Sequence, residues 1–246
     1  MRASAVHLVF LATMPVVGSA GPASAEVGEA VAVIQQAVAS GQTGARTLAV
    51  GAPVFMGDLL RMGPIGETQL LFVDDTRLVV GPNSSLTIDE YIVRDQRTVS
   101  RLTVNAIVGS FRFITGLSPH EAYSIKTPNA TIGVRGTSID LAVTTVSTGV
   151  VVYSGAAEVC DENERNCVIA EAGCGAAVAD PDGVLPVDEA EKTAFIEESF
   201  PYAVDQELLR ADFKVDTGDC GLVIPANIQI DPFQPGAIQA IAASPS

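Results

Sequence analysis

Apolar and polar residues alternate through most of the first two thirds of the chain, and turn residues interrupt the alternation at short intervals. A period of two places the apolar residues of a strand on one face. Closely spaced strands with intervening turns indicate a β-sandwich or a short β-stack rather than βαβ units. The pattern therefore predicts an all-β fold. Strands are expected near residues 30–37, 53–56, 58–62, 67–73, 76–80, 85–93, 98–108, 110–114, 122–126, 130–134, 138–145, 149–153 and 156–160.

The most informative alternation lies in residues 127–143. Two glycines, Gly133 and Gly136, bracket Arg135 inside this run. Beyond Arg135 the apolar positions change from even to odd numbers, which requires one extra residue in the strand, as a β-bulge supplies. We therefore predict a bulge within residues 133–138. The apolar residues expected on the core side are Ile132, Val134, Ile139, Leu141 and Val143.

The pattern changes after residue 185. Asp188 is followed three residues later by Glu191, which is typical of a capping box at a helix start. Apolar residues then recur at helical spacing until Pro201, which should end or kink the helix. Residues 203–213 suggest a second amphipathic piece with Val204, Leu208, Leu209 and Phe213. Residues 222–246 contain several prolines and almost no charge, which predicts an extended or disordered tail.

Residues 1–25 have the pattern of a secretory signal peptide. Arg2 is the one early charge, an apolar core follows, and small residues precede a cleavage site after Ala25. The apolar run is shorter than the ~20 residues of a membrane-spanning helix. We therefore expect a periplasmic or secreted protein with no membrane span in the mature chain.

The formal net charge of −15 limits the classes of partner that the chain is expected to bind. No basic stripe is present, so nucleic acid is excluded as a partner, and an anionic membrane surface is equally unfavourable. The acidity itself is explained by solubility.

Four cysteines lie in the expected mature chain, and an oxidising compartment favours disulfides. Three pairings are possible. Cys160 and Cys167 flank a polar loop after an apolar strand, so a bridge across a hairpin is natural. Cys174 and Cys220 would then fasten the helical segment to the β-domain. The rival metal site lacks a Cys-x-x-Cys pair and a nearby histidine.

Catalytic and cofactor sites are poorly supported, and neither is expected. His120 lies in a polar turn and has the pattern of a solvent-exposed histidine, without a Gly-x-Ser-x-Gly nucleophile motif. Paired carboxylates at Asp74/Asp75, at Asp89/Glu90 and at Asp140 could serve a hydrolase. Turn pairs are usually solvated, however, and adjacent strand residues point to opposite faces. Asp75 occupies a hairpin turn position that favours glycine.

Several motifs resemble the FecR protein domain. The main one is Thr127-Pro-x-Ala-x-Ile-Gly-Val-Arg-Gly-Thr137, followed by an alternating strand and by residues 150–159; Gly51-x-x-Val-x-x-Gly-Asp58, residues 71–78 and residues 109–116 precede it in order. The resemblance covers roughly residues 48–160 and favours a strand over a helix at residues 27–38. It implies a FecR-like β-domain over residues 27–180, followed by a helical appendage at residues 186–221. The motif residues to which it assigns a structural or docking role are Thr127, Pro128, Ile132, Gly133, Val134, Arg135, Gly136 and Thr137.

Arg135 has two interpretations. It could be a buried structural arginine paired with Asp140 or Asp58, or it could be a docking contact. The best-known FecR proteins are membrane-spanning regulators of a sigma factor, but this chain shows no anti-sigma segment and no second apolar span. The sequence therefore predicts a non-catalytic, exported binding or scaffold module whose partner is a protein or envelope component. The alternatives are a periplasmic component of envelope signalling to a membrane-bound sigma-factor regulator and, with less support, a carboxylate-based hydrolase.

Overall fold

The computed structural model describes residues 25–42 and 44–222. The predicted signal peptide and the predicted tail therefore lie, apart from Ala25 and Leu222, outside the described residues. Within the described ranges no helix is both long and apolar enough to cross a membrane.

The described chain is mostly strand, which confirms the all-β prediction. The helical part is limited to α1 (Glu189–Ser199), α2 (Pro201–Val204) and three short 3₁₀ turns. The strands are β1 (Glu26–Ile34), β2 (Ala37–Gly41), β3 (Gly44–Thr47), β4 (Pro53–Phe55), β5 (Leu59–Met62), β6 (Glu67–Phe72), β7 (Arg77–Val80), β8 (Ser85–Val93), β9 (Val99–Ile114), β10 (Tyr123–Lys126), β11 (Ala130–Val143), β12 (Thr148–Asp161), β13 (Cys167–Glu171), β14 (Gly175–Asp180) and β15 (Gly183–Pro186).

All strands belong to one sheet that folds into two layers. The layer that we call the capped layer has the order β4-β1-β6-β7-β9-β11-β12-β14-β15. The other, which we call the motif layer, has the order β3-β2-β5-β8-β9-β10-β11-β12-β13. Strands β9, β11 and β12 appear in both layers because each is long enough to leave one and enter the other. The sequence pattern predicted each of them as two separate strands, and this is corrected by the structure.

A glycine lies where each of the three long strands changes layer. Gly109, Gly136 and Gly155 have φ of 118°, 60° and 72°, in the region that side chains other than glycine rarely adopt. A Cβ atom on Gly155 would also meet the carbonyl oxygen of Gly136. These glycines therefore let neighbouring strands bend together while their backbones stay in contact.

The predicted bulge is confirmed. The pairing of β11 with β12 shifts between Arg135, opposite Ala156, and Ser138, opposite Ser154. All five apolar residues named for the core side are buried. The extra residue of the bulge turns the side chains after it back towards the core. Apolar residues on both sides of the bulge therefore pack into one core.

The core lies between the two layers. The capped layer contributes residues such as Leu70 and Phe111, and the motif layer contributes residues such as Leu86 and Leu102. Removal of this apolar surface from water is the main stabilising contribution to such a fold. Two smaller apolar clusters lie on the outer face of the capped layer. Residues 187–222, which we call the C-terminal segment or cap, pack there.

Several short strands were not predicted. Strands β2 and β3 lie between Ile34 and Pro53, and β13 to β15 follow residue 160. The sequence of β14, Gly-Ala-Ala-Val-Ala-Asp, contains a single β-branched residue, so its intrinsic strand signal is weak. Backbone pairing with β12 stabilises β14 as a strand, although its own sequence does not favour one.

The helical prediction is correct in part. Helix α1 starts after Asp188, but the Asp188 side chain makes no capping hydrogen bond, so the predicted capping box is not formed. The predicted second amphipathic piece is wrong as a helix. Only α2 and a 3₁₀ turn at Ala211–Phe213 are helical there, and Val204 and Leu208 are exposed whereas Leu209 and Phe213 are buried.

Candidate functional site

The outer face of the capped layer carries one row of side chains that runs across six strands. Strand register aligns Gln69 with Val79, Val79 with Arg112, Arg112 with Asp140, Asp140 with Val151, and Val151 with Ala176. Adjacent residues on a strand point to opposite faces, so these side chains face away from the core. Such a row of mixed polar and apolar groups needs a cover that satisfies the polar ones.

An ion pair between Arg112 and Asp140 forms the centre of this row. The Arg112 Nε and Nη2 atoms donate to the two Asp140 oxygens at 2.7 and 2.8 Å, and the two side chains are 0 and 2% exposed. Tyr153 donates its hydroxyl to Asp140 Oδ2 at 2.7 Å. Burial alone would lower the pKa of Arg112, but the Asp140 carboxylate outweighs that effect and raises it. Both Asp140 oxygens are thus used in short, charge-assisted hydrogen bonds from Arg112.

The C-terminal segment completes the hydrogen bonds of this row. Arg112 Nη2 donates to the Tyr202 carbonyl oxygen at 2.8 Å, and Arg112 Nη1 donates to Gln206 Oε1 at 2.5 Å. Gln69 makes two hydrogen bonds to the backbone of the segment. Its Nε2 donates to the Leu208 carbonyl oxygen at 3.1 Å, and its Oε1 accepts from the Arg210 amide at 2.9 Å. These bonds hold residues 205–210 in a turn, in which the Leu209 amide donates to the Gln206 carbonyl oxygen at 3.1 Å.

Tyr202 makes a second link between the C-terminal segment and β6. Its hydroxyl donates to Glu67 Oε2 at 3.0 Å, and its ring lies beside the Arg112 guanidinium at 5.8 Å. Burial, followed by the negative charge of Glu67, raises the pKa of the Tyr202 hydroxyl. The sheet and its cover are thus joined by charged and aromatic groups as well as by apolar packing.

Both predicted disulfides are confirmed, and together they include all four cysteines. Cys160–Cys167 bridges β12 and β13, and Cys174–Cys220 ties the end of the C-terminal segment to the loop before β14. The Glu158 carboxylate lies within 4.8 Å of the Cys160 and Cys167 sulfurs. Disulfide sulfurs are not the thiolates that bind metal ions, so the bridge accounts for this cluster.

The buried-arginine interpretation of Arg135 is wrong. Arg135 is exposed, whereas Asp140 pairs with Arg112 and Asp58 pairs with Arg46. The bulge carries the Arg135 side chain to the surface of the motif layer. The arginine that the fold does bury, Arg112, lies in the Gly109–Gly116 motif, where its position between Phe111 and Phe113 was the available signal.

The other residues of the family motif divide into two groups. Thr127 and Thr137 hold the backbone: Thr127 Oγ1 accepts from the Ala130 amide at 2.9 Å, and Thr137 Oγ1 accepts from the Arg135 amide at 2.8 Å and donates to the Ala156 carbonyl oxygen at 2.9 Å. Ile132 and Val134 are core residues and Gly136 is at the bend. Pro128 precedes β11. Gly133 and Arg135 are left facing outward.

Gly133 forms the floor of an open groove on the outer face of the motif layer. Its row runs through residues that strand register aligns as Thr103, Ser124, Gly133, Glu158 and Ile169. A Cβ atom built on Gly133 would meet no atom within 4 Å, and its φ is not positive. The groove encloses about 680 Å³, with His120, Glu121 and Arg135 at one end and Glu164 at the other. We call it the motif groove.

Of the carboxylates considered for hydrolysis, Asp74, Glu90 and Asp140 are bonded to structural partners, whereas Asp89 is exposed. Asp74 is buried rather than solvated, and it accepts from the Ser118 and Tyr123 hydroxyls at 2.7 and 2.9 Å. Asp140 is held by Arg112. Glu90 accepts from Thr103 at 3.1 Å. Asp75 has the expected left-handed backbone, with φ of 63°. The exposed position predicted for His120 is confirmed.

The sequence model of the FecR protein family matches residues 58–158. The matched residues include most of those that line the motif groove, whereas Cys160, Glu164 and Cys167 lie beyond them.

Two solved structures are similar to parts of the chain. Both are crystal structures of a candidate anti-sigma factor from Parabacteroides distasonis. The one at 2.50 Å has 15% identity and a TM-score of 0.43, over 57% of this chain and 64% of that chain. The one at 1.65 Å has 16% identity and a TM-score of 0.41, over 55% of this chain and 62% of that chain. The similarity thus spans less than two thirds of either solved chain. No curated protein matches the sequence.

Proposed function

We propose that this chain is an exported, non-catalytic FecR-domain protein that binds a protein of the bacterial envelope in the motif groove. The observation that carries the proposal is the gap above Gly133. Every other outward position in its row bears a side chain, whereas a Cβ atom on Gly133 would have no neighbour within 4 Å. Structure alone does not require glycine at this position, and a gap of this kind leaves room for a group from a partner.

The contrast with the capped layer supports this assignment. On the capped layer, Gln69, Arg112 and Asp140 are hydrogen-bonded within the chain, and the C-terminal segment covers them. The motif groove keeps the Arg135 and His120 side chains at the surface, where they can reach a partner. Exposed polar groups held by a rigid scaffold are typical of binding sites.

Export is supported by the two disulfides, which form and persist in oxidising compartments. The FecR match supports the same location, because the FecR domain of the best-known members lies in the periplasm. N-terminal analysis of the cell-fractionated protein tests this part separately, with a mature start at Glu26 as the expected result.

The binding proposal is tested by filling the gap. A photo-reactive p-benzoylphenylalanine at Ser124, which lies beside Gly133 in the row, should give one discrete protein adduct in intact cells. Gly133→Leu in the same chain should abolish that adduct while the melting temperature stays unchanged. The matched control carries the photo-reactive residue at Val50, an exposed residue outside the groove, and should give no adduct. Equal adducts from both positions, or an adduct that survives Gly133→Leu, would contradict the proposal.

A role in envelope signalling is the second candidate, and the FecR match supports it. In that case the partner would be a membrane-bound regulator of a sigma factor. Transcript profiling of a deletion strain complemented with the wild-type chain or with Gly133→Leu addresses this role. A sigma-factor regulon that follows the presence of the intact groove is the expected result. Unchanged transcripts in the deletion strain would leave a binding or scaffold module without a signalling role.

A further inference from the structure

The two disulfides differ in how far they are exposed to solvent. Cys174 and Cys220 are 1 and 0% exposed, so a reductant in solution does not reach their sulfurs while the chain is folded. Cys167 is exposed and Cys160 is half-buried, and both line the motif groove. The bridge between them, which we call the groove disulfide, is therefore the one that a reductant can attack.

The hairpin around the groove disulfide is also held by hydrogen bonds that do not involve the bridge. Asp161 Oδ1 accepts from the Asn163 and Arg165 amides at 3.0 and 2.9 Å, and Asp161 Oδ2 accepts from Asn166 Nδ2 at 2.8 Å. The Asp161 amide donates to the Asn166 carbonyl oxygen at 2.9 Å, and the backbone pairing of β12 with β13 continues beside the loop. Reduction of the bridge should therefore leave both strands and the loop in place.

The groove disulfide lies beside a carboxylate, so its reduction would bring three metal-ligating groups together. The Glu158 carboxylate and the Sγ atoms of Cys160 and Cys167 all lie within 4.8 Å of one another. Strand register explains this grouping, because Cys160 lies opposite Cys167 and Glu158, two residues earlier on β12, points to the same face. Among the described residues no lysine or arginine lies within 4.0 Å of the Glu158 carboxylate. The carboxylate is thus free to bind a cation.

The donor set selects the class of metal ion. Thiolates bind soft or borderline ions, whereas calcium and magnesium require oxygen ligands. Two thiolates and one carboxylate suit zinc in tetrahedral geometry, with the fourth position left for water. Tetrahedral zinc holds two sulfurs about 3.7 Å apart, a separation that rotation of two directly opposed cysteine side chains allows.

The charge around the pair favours a bound metal over a reactive thiol. Reactive thiolates are found beside cationic groups, whereas residues 158–167 carry four acidic residues and one basic residue. The cation in register with Cys160 on this face, Lys126, lies two strands away on β10. Nearby carboxylates disfavour a free thiolate and attract a metal cation.

We propose that the groove disulfide is reversibly reduced and that its reduced form binds a zinc ion through Cys160, Cys167 and Glu158. A protein dithiol supplies two electrons and two protons, so that the S–S bond breaks, two thiols form and the dithiol itself becomes a disulfide. Zinc then displaces both thiol protons to the solvent. The inference needs no partner in the groove, and its failure would leave the proposed binding function untouched.

Selective reduction is tested on the folded full chain. The chain is treated briefly with dithiothreitol, alkylated and mapped by mass spectrometry, and its circular dichroism is recorded in parallel. Cys160 and Cys167 should be alkylated, Cys174 and Cys220 should stay bridged, and the spectrum should be unchanged. Equal reduction of both bridges, or loss of the strand signal, would overturn the proposal.

Zinc binding is then measured on the reduced chain by competition with a chromophoric chelator. One equivalent should bind, and cobalt(II) in its place should give a thiolate-to-metal charge-transfer band. Glu158→Gln should weaken the affinity by about tenfold or more, since the loss of even an outer-shell partner costs that much. Glu171→Gln, at an exposed glutamate on β13, is the matched control and should leave the affinity unchanged. Equal binding by the oxidised chain, absence of the cobalt band, or equal effects of the two variants would reject the zinc site.

Discussion

The two outer faces of the sandwich are built on the same three long strands, but one is covered by the C-terminal segment and the other is open. On the capped layer, β9, β11 and β12 present Arg112, Asp140 and Tyr153, and the C-terminal segment buries and bonds all three. On the motif layer, the same strands present Thr103, Gly133 and Glu158 beside an open groove. On the capped layer, the buried charges of Arg112 and Asp140 are paired within the chain. On the motif layer, the space above Gly133 is left open. With one face covered by the C-terminal segment, the motif groove on the other face stays open.

The largest expected effect comes from breaking the ion pair of the capped face. Asp140→Ala should lower the free energy of unfolding by about 3–5 kcal/mol, because it leaves a buried arginine without its counter-charge. Urea denaturation followed by circular dichroism measures the loss. Arg112→Met with Asp140→Leu should cost less than the sum of the two single changes, since no lone charge remains buried. Additive losses would show that the two groups act independently.

Removal of the disulfide between Cys174 and Cys220 should lower the free energy of unfolding by nearly as much. The bridge closes a loop with a sequence separation of 46 residues, and chain entropy assigns such a loop about 4 kcal/mol. Paired Cys→Ser substitutions and denaturant titration measure this value. The bridge between Cys160 and Cys167 spans 7 residues and should contribute only about 2 kcal/mol in the same treatment. A larger loss from the short bridge would contradict the role of the Cys174–Cys220 bridge in fastening the cap.

Alkaline titration tests whether the tyrosines are as buried as the geometry implies. Burial raises the pKa of all four tyrosines, Tyr91, Tyr123, Tyr153 and Tyr202, above the usual value. The folded state then retains protons that the unfolded state releases above pH ~10. Stability should be unaffected below that pH and should fall as the pH rises further. Tyrosinate absorbance should appear together with unfolding, and ionisation near pH 10 in a folded chain would contradict the burial.

The smallest effect is expected at the two glycines of the motif, which separate structure from binding. Gly136→Val should cost more than ~1 kcal/mol, because its φ of 60° is unfavourable for a β-branched side chain. Gly133→Val should change stability by less than ~0.5 kcal/mol, because its side chain would enter open space. Differential scanning calorimetry of the two variants gives the comparison. Equal losses would mean that Gly133 is also required by the fold.

Sequence periodicity predicted the parts of the molecule in which side chains alternate against a core. The bulge after Arg135, the two disulfide pairs and the start of α1 all followed from local pattern and spacing. The partners of Arg112 did not, because Tyr202 and Gln206 lie about ninety residues away in sequence and join it only after the cap has folded back. The same holds for Gln69, whose contacts with Leu208 and Arg210 leave no trace in its own strand. The motif groove was not predicted. In the sequence, Gly133, which lies below open space, looks the same as Gly136, whose backbone conformation requires glycine.

The three strands shared by both layers also determine how the domain carries load. Strand β12 runs without a chain break from Tyr153, under the cap, to Glu158, in the motif groove. A pull applied by a partner at the groove is transmitted along this backbone to the buried ion pair, and its hydrogen bonds to β11 are loaded along the way. The two layers cannot slide or hinge apart unless many of these bonds break at once. A partner bound at the groove, as proposed, would therefore contact strands that continue through the bend at Gly155 to the buried ion pair.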